Sequence, residues 1–173
     1  MQASEAVALE SPFWKRLVIG RRPKVTLVRG TLLASIFIVV FRFALIGVRV
    51  DGISMEPTYH NGRINLINRL SYWRSEPSRG DVVGIRLAGE KVMYMKRIIG
   101  RPGERVAFQR GVVFINGQRL NEPYVKYNAP WQVAELSLGP DEYYVVGDNR
   151  SMRPDWHEHG AILRRRIIGK VLF

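Results

Sequence analysis

The sequence contains no cysteine, and this absence excludes disulfide-stabilised folds and thiolate zinc sites. Acidic residues are also scarce, because 15 Asp and Glu stand against 27 Lys and Arg, which gives a formal net charge of +12. Strongly basic chains often bind nucleic acid, so nucleic acid has to be considered as a partner. A hydrophobic fraction of 46% is sufficient for a packed core and argues against global disorder.

The distribution of the basic residues argues against nucleic acid. Residues 1–30 have six Lys and Arg against two Glu, and they stand directly before a long apolar run. Lys and Arg on one side of an apolar segment place that side in the cytoplasm. A topology signal explains this basic block better than DNA binding does, so we expect no nucleic acid partner.

The apolar run spans residues 31–48, TLLASIFIVVFRFALIGV, and contains one charge, Arg42. Its 18 residues approach the roughly 20 that cross a bilayer. Near the membrane centre Arg42 would cost about 2.5–3.5 kcal/mol, which the surrounding Leu, Ile, Phe and Val can offset. We predict a transmembrane helix over 31–48, a basic cytoplasmic segment over 1–30 and an extracytoplasmic domain over 49–173. The alternative for the run is a buried globular helix.

Beyond residue 50 the pattern indicates β-structure without a helical period. Runs of β-branched and aromatic residues, bounded by turn signals, predict strands within six segments: 63–69, 81–87, 91–100, 105–120, 142–148 and 166–173. Turns are predicted at Ala88-Gly89-Glu90, Arg110-Gly111 and Asn116-Gly117, and loops over 70–80 and 121–141. The predicted fold is mostly β: one N-terminal transmembrane helix, then a compact, antiparallel, partly barrel-like domain with a minimal 105–120 hairpin insertion.

One serine follows the apolar run closely, Ser54 in the segment GISMEPT. A serine needs a nearby base to act as a nucleophile. The chain has three histidines that could be that base: His60, His157 and His159, the last two beside Asp155 and Glu158. No GxSxG elbow supports a Ser-His-Asp triad among them. The DWHEH segment also lacks the spacing of a helical metal site, so we expect no metal and no cofactor.

Lys96 is the other candidate base, in the apolar segment VMYMKRIIG. A lysine accepts a proton only when it is neutral, and burial among apolar groups lowers its pKa in that direction. Strand alternation places Tyr94, Lys96 and Ile98 on one face, with Arg97 on the other. The alternative is a solvated strand lysine.

Four segments in a fixed order together resemble bacterial type I signal peptidases, which are membrane-bound Ser/Lys proteases. They are GISMEPT (52–58), DVV (81–83), MKRIIGRPGE (95–104) and VVGDNR (145–150). The resemblance implies that Ser54 attacks the scissile carbonyl and that Lys96 is the general base. It also implies an oxyanion hole at the backbone of Ser54 and Gly52, where some members have an assisting serine in place of Gly52.

The resemblance assigns further roles around this pair. Structural support of the site is expected from Met55, Pro57, Arg97, Asp148 and Asp155, with Arg97 pairing Asp148. Contacts with substrate are expected from Ile53, Met55 and Tyr94. The segment 151–159 departs from the family pattern: the serine that bonds the catalytic lysine becomes Arg153, and the arginine that pairs with Asp155 becomes His157. Ser151 is a possible substitute for the missing hydroxyl.

The implied function is removal of N-terminal signal peptides from exported precursors, after small-x-small sites of the Ala-x-Ala type. The expected partners are signal peptides and the lipid bilayer. The expected location is the plasma or inner membrane, crossed once, with a cytoplasmic N-terminus. Three alternatives stay open: a related maturation peptidase with few substrates, a silent anchored β domain that binds lipid or protein, and a soluble self-cleaving repressor, which the membrane segment disfavours.

Overall fold

The computed structural model describes residues 23–86 and 93–172, except for the side chain of Met93. The chain divides into two compact units, Met1–Arg42 and Phe43–Phe173. The predicted turn at Ala88-Gly89-Glu90 lies outside the described residues. The described part of the first unit is helical, and the second contains the described strands.

Helix α1 spans Pro23–Ala44. Proline suits the first helical position because its missing N–H would be unpaired there anyway. The window Lys24–Ala44 has a mean hydropathy of 1.9 and none of it is buried, so by length and composition it can cross a membrane. The predicted bounds were different, since the helix begins eight residues earlier than position 31 and ends before position 48.

The early end of α1 changes the position of Arg42. This residue lies in the last turn of the helix and not near its centre. A cation there interacts favourably with the helix dipole. In a membrane, the long side chain of an arginine at this position can extend its guanidinium to the membrane–water interface. The apolar residues after Ala44 were assigned to the helix because composition alone does not separate a helix end from a strand; the structure places them in a strand.

Eleven strands follow in the described part of the chain, and all named pairs between them are antiparallel. They are β1 (Leu45–Arg49), β2 (Ile64–Asn68), β3 (Val82–Arg86), β4 (Met93–Gly100), β5 (Arg105–Gln109), β6 (Val112–Ile115), β7 (Gln118–Arg119), β8 (Val133–Ser137), β9 (Glu142–Val146), β10 (Gly160–Leu163) and β11 (Ile167–Val171). The mostly β, antiparallel fold is confirmed. Strands β1, β8 and β10 were not predicted, and β8 corrects the loop assigned to 121–141.

Seven strands form the larger sheet, in the order β1-β2-β11-β3-β4-β9-β10. Strand β4 lies near its middle and sends side chains into three core clusters. Met95 packs with the cluster that contains Met55, Ile98 with the cluster around Val83, and Ile99 with the cluster around Phe108. Burial on both faces holds the backbone of β4 in place, and with it the side chain of Lys96.

The smaller sheet has the order β7-β6-β5-β8. Its two tight turns fall where they were predicted, at Arg110-Gly111 and Asn116-Gly117, with all four residues at positive φ. Two successive residues at positive φ are the signature of the hairpin turn whose twist matches the strands. Neither sheet closes into a barrel among the described strands, because each has two free edges.

Candidate active site

Ser54 lies in the loop between β1 and β2, which we call the serine loop (residues 50–63). Backbone hydrogen bonds close its base, from Val50 N to Arg63 O at 2.9 Å and from Gly62 N to Val50 O at 2.8 Å. Met55, 1% exposed, anchors the loop in the core below. The neighbouring side chain of Ser54 stays partly exposed, so the loop presents a hydroxyl on a fixed backbone.

Lys96 lies on β4, opposite Val83 of β3, and is 4% exposed. Burial lowers the pKa of its ammonium to about 8, although the nearby charge of Glu158 works in the opposite direction. The Nζ atom lies 5.9 Å from the centre of the Tyr94 ring. Among the described residues it makes no hydrogen bond and no ion pair. Lys96 is therefore poised to lose its proton at mildly alkaline pH.

Ser54 and Lys96 share one cavity of about 290 Å³, although 41 residues separate them in the chain. Ile53 and Tyr94 also line it, as expected for substrate contacts. Met55 lies in the core beneath the loop and is not part of the wall. The fold thus brings the two proposed reactive side chains to the same space.

A second cavity, of about 120 Å³, adjoins the first. Tyr94, Lys96 and Glu158 line both, and the hydroxyl of Tyr94 donates to the carboxylate of Glu158 at 2.8 Å. Apolar side chains such as Ile85 and Val145 form much of the second wall. The two cavities meet along the strand that carries Lys96.

Asp148 is fully buried and connects β4, the strand that carries Lys96 and Arg97, to the serine loop. Arg97 donates to both carboxylate oxygens, from Nε to Oδ1 at 2.8 Å and from Nη2 to Oδ2 at 2.6 Å. Thr58 of the serine loop donates its hydroxyl to Oδ2 at 2.6 Å. The structure thus contains the expected pair of Arg97 and Asp148. Two-point contact of this kind fixes orientation as well as distance.

Asn149 adds two hydrogen bonds directly to the serine loop. Its backbone N–H donates to the carbonyl of Ser54 at 3.0 Å, and its side-chain amide donates to the carbonyl of Ile53 at 3.1 Å. Sequence reasoning did not single out this residue, although it lies inside the VVGDNR segment. Its role depends on the approach of two chain segments almost a hundred residues apart, which no local pattern reveals.

The backbone of the serine loop contains one free donor at the reactive residue. In the part of the chain that the structure describes, the N–H of Ser54 makes no hydrogen bond, so it can donate to an oxyanion. The N–H of Gly52 instead donates to Oδ1 of Asn61 at 3.0 Å. Gly52 has φ = 108°, a conformation that favours glycine, and Pro57 follows a cis peptide bond.

Comparison with known proteins identifies the family of the chain. A family model described as "Signal peptidase, peptidase S26" matches residues 24–173. The chain belongs to the signal peptidase S26 family. A protein named Signal peptidase I from Bacillus amyloliquefaciens is 36% identical over 136 residues, covering 72% of this chain and 70% of that one. Family membership supports removal of signal peptides by a serine peptidase.

Two further relatives carry similar names. Signal peptidase IB of Staphylococcus aureus is 30% identical over 162 residues, which cover 82% of this chain and 84% of that protein. A crystal structure of a signal peptidase I from Enterococcus faecalis is 24% identical, with a TM-score of 0.46, over 56% of this chain and 97% of that one.

The segment 151–159, which departs from the family pattern, is arranged differently from the expectation. Asp155 lies at the surface with a largely exposed side chain, 3.4 Å from Nη2 of the equally exposed Arg153. This contact places Asp155 away from the buried part of the site. The hydroxyl of Ser151 donates to Oδ1 of Asn149 at 2.7 Å and not to Lys96, so the possible substitute for the missing hydroxyl is not found.

The histidines do not form a triad with Ser54 in the described structure. His60 is exposed and bonds Glu56 at 2.8 Å, and His159 bonds the hydroxyl of Tyr144 at 2.7 Å. His157 accepts a hydrogen bond from a backbone N–H. None of the three is hydrogen-bonded to the serine. Of the described residues, no group of three or more His, Asp or Glu side chains could hold a metal ion.

Proposed function

We propose that the chain is a membrane-bound serine endopeptidase in which Ser54 is the nucleophile and Lys96 the general base. The observation that carries this proposal is the shared cavity, which is lined both by the partly exposed Ser54 and by a buried lysine with a lowered pKa. A neutral amine is a competent base for a serine hydroxyl, and burial makes the neutral form accessible. The substrates are exported precursors, from which the enzyme removes the N-terminal signal peptide.

The reaction follows from this pair in two stages. Neutral Lys96 takes the hydroxyl proton of Ser54 while the oxygen attacks the scissile carbonyl, and the N–H of Ser54 donates to the resulting oxyanion. The ammonium of Lys96 then returns the proton to the leaving amine, which leaves an ester on Ser54. Lys96 next accepts a proton from water, whose oxygen attacks the ester. Collapse of this second intermediate returns the proton to the oxygen of Ser54, which completes the cycle.

The two adjoining cavities support binding of two substrate side chains, one on each side of an intervening position. In an extended peptide, every second side chain points the same way. Two adjoining cavities that share Tyr94 and Lys96 along one strand can receive two such side chains. From the resemblance to type I signal peptidases we expect small-x-small sites, with cleavage after the second small residue. Ile53 and Tyr94 are the expected contacts in the larger cavity.

The apolar helix supports a location in the plasma or inner membrane. Helix α1 has the length and composition of a membrane span, and it is followed directly by β1 of the β domain. The basic residues of 1–30 favour a cytoplasmic N-terminus, which puts the β domain on the outer side. Signal peptides are themselves apolar segments in the same bilayer, so anchoring raises the effective concentration of enzyme and substrate.

The test is cleavage of a precursor with an Ala-x-Ala site in liposomes, by the wild type and by Ser54→Ala. We expect the wild type to release the signal peptide and Ser54→Ala to release none. Ser137→Ala is the matched control, because Ser137 is an exposed serine on β8 of the smaller sheet and should leave the rate unchanged.

Other outcomes point to the other readings. Cleavage of one precursor out of several unrelated ones would favour a maturation peptidase with few substrates. A folded wild type that cleaves nothing would favour the silent binding domain. Cleavage that survives Ser54→Ala would refute Ser54 as the nucleophile.

A further inference from the structure

His157 is a buried histidine that the proposed reaction does not use. It is 4% exposed and lines the cavity that contains Ser54 and Lys96. Its Nε2 accepts a hydrogen bond from the backbone N–H of Gly147 at 3.1 Å. Its Nδ1 is buried and has no hydrogen-bond partner in the described structure. A buried polar side chain with one specific bond and one free donor calls for an explanation.

Gly147 is the point where His157 and the serine loop meet. A β-carbon at this position would lie 2.6 Å from Nε2 of His157 and would overlap the carbonyl oxygen of Ser54. The glycine backbone is therefore packed closely against both the imidazole ring and the backbone of the nucleophile, with no room for a side chain.

A short series of hydrogen bonds continues from Gly147 to Ser54. Asn149, two residues along the same turn, donates its backbone N–H to the carbonyl of Ser54 at 3.0 Å. Its side chain donates to the carbonyl of Ile53 at 3.1 Å. The turn 147–149 is thus bonded to His157 on one side and to the nucleophile on the other.

Trp131 packs against the ring of His157. The two ring centres are 5.1 Å apart in an edge-on arrangement, and the indole N–H of Trp131 donates to the carbonyl of Met152 at 2.6 Å. Burial, with the positive charges of Lys96, His159 and Arg150, lowers the pKa of His157 to about 3. The ring therefore stays neutral, with Nε2 free to accept and the proton on Nδ1.

We propose that His157 is a positioning residue for Ser54, acting through Gly147 and Asn149 as the hydrogen-bond acceptor that fixes the turn 147–149. This inference rests on the proposed function, because it assigns a role in the reaction of Ser54. It also gives a reason for the departure from the family pattern in segment 151–159, where His157 replaces an arginine that would pair with Asp155. Here Asp155 lies at the surface, and the buried, neutral ring of His157 instead accepts a hydrogen bond from the turn 147–149.

Two amide substitutions separate this role from simple packing. Glutamine places its amide near the position of the Nε2 atom of histidine, whereas asparagine places it near Nδ1. His157→Gln can therefore still accept from Gly147 N–H, and His157→Asn cannot. We expect kcat of His157→Asn to fall about tenfold or more with KM changed less than about twofold, and kcat of His157→Gln to stay within about threefold of wild type.

Ile167→Ala is a control for loss of stability alone. Ile167 is buried in the cluster around Val83, which contains neither Trp131 nor Met55 of the serine loop. It should lower the melting temperature while kcat at a temperature well below melting stays unchanged. An equal loss of kcat in both His157 variants, or no loss in either, would overturn the positioning role.

A second measurement does not depend on any variant. Nitrogen-15 NMR of the full chain in detergent reports which ring nitrogen of His157 carries the proton. We expect the Nδ1–H tautomer, unchanged down to about pH 5. An Nε2–H tautomer, or protonation of both nitrogens at neutral pH, would refute the hydrogen bond from Gly147. Failure of the proposed function is recognised separately, because the wild type itself would then cleave no precursor, and the positioning role would fall with it.

Discussion

Burial of Lys96 affects activity and stability in opposite directions. The ammonium has a pKa of about 8 in the folded chain, against an ordinary value of 10.5. Below pH 8 the lysine is protonated in both the folded and the unfolded chain, and the folded state bears the full cost of burying a charge. The difference between the two pKa values corresponds to about 3 kcal/mol of lost stability.

Lys96→Met should therefore remove activity and raise stability. The thioether fills a similar volume without a charge, so at pH 7 we expect a free energy of unfolding higher by up to about 3 kcal/mol. As pH rises from about 8 to 10.5, the folded wild type loses the proton before the unfolded chain does, and the wild type becomes more stable. The difference in the free energy of unfolding between the variant and the wild type should therefore disappear over that range. Denaturant unfolding of both proteins at pH 7 and pH 10 measures this difference.

Lys126→Met is the matched control for this prediction. Lys126 is exposed in the loop before β8, so its substitution should change neither stability nor cleavage appreciably. A Lys96→Met variant that is less stable than wild type at pH 7 would contradict the conclusion that burial of the charged Lys96 destabilises the folded chain.

At the level of single elements, the sequence predicted the strands that are rich in buried β-branched and aromatic residues. Strands β4 and β9 are mostly buried on both faces, and apolar residues outnumber the charged ones in each. Strand β8 was missed because four of its five residues are exposed, and an edge strand without an apolar face resembles a loop. Strand β1 was missed because its apolar residues continue the composition of α1, and only pairing with β2 distinguishes it.

The two tight turns of the smaller sheet offer a comparison at this scale. Gly111 and Gly117 both have φ = 80°. A β-carbon at Gly117 would meet nothing within 4 Å, whereas one at Gly111 would lie 2.6 Å from the carbonyl oxygen of Ala129. Gly117→Ala should cost about 1 kcal/mol from backbone conformation alone. Gly111→Ala should cost clearly more, about 2–4 kcal/mol, because a rigid backbone atom must also move.

Thermal unfolding of the two variants side by side tests this comparison. Both share the same φ and the same turn type, so the difference isolates the close approach of residue 129. Equal melting temperatures would show that the contact at Gly111 relaxes freely and that φ alone sets the cost.

At the level of the whole molecule, features carried by local motifs could be predicted from the sequence, whereas contacts between distant chain segments could not. The motif segments were recognisable, and they pointed to Ser54 and Lys96 as candidates. The insertion of C-terminal β11 between β2 and β3 was not predictable, because it joins residues about a hundred positions apart. The contacts of Asn149 and His157 depend on the same kind of pairing, so their roles emerge only from the fold.

The division of the chain into a helix and a β domain predicts that chemistry and location can be separated. Deletion of residues 1–44 removes α1 and keeps β1, which pairs with β2 over five residues. We expect this variant to fold and to cleave a short soluble peptide within about threefold of the wild-type rate. Its rate on a precursor embedded in liposomes should fall by about a hundredfold, because the shared membrane no longer concentrates enzyme and substrate.

Deletion of residues 1–49 is the control that shows where the domain begins. It removes β1 as well and exposes the edge of β2, whose Ile67 is 1% exposed in the intact chain. We expect a lower melting temperature and loss of cleavage on both substrates, since the serine loop begins at the end of β1. Equal loss on both substrates after deletion of 1–44 alone would mean that α1 supports the chemistry itself and does more than anchor the β domain.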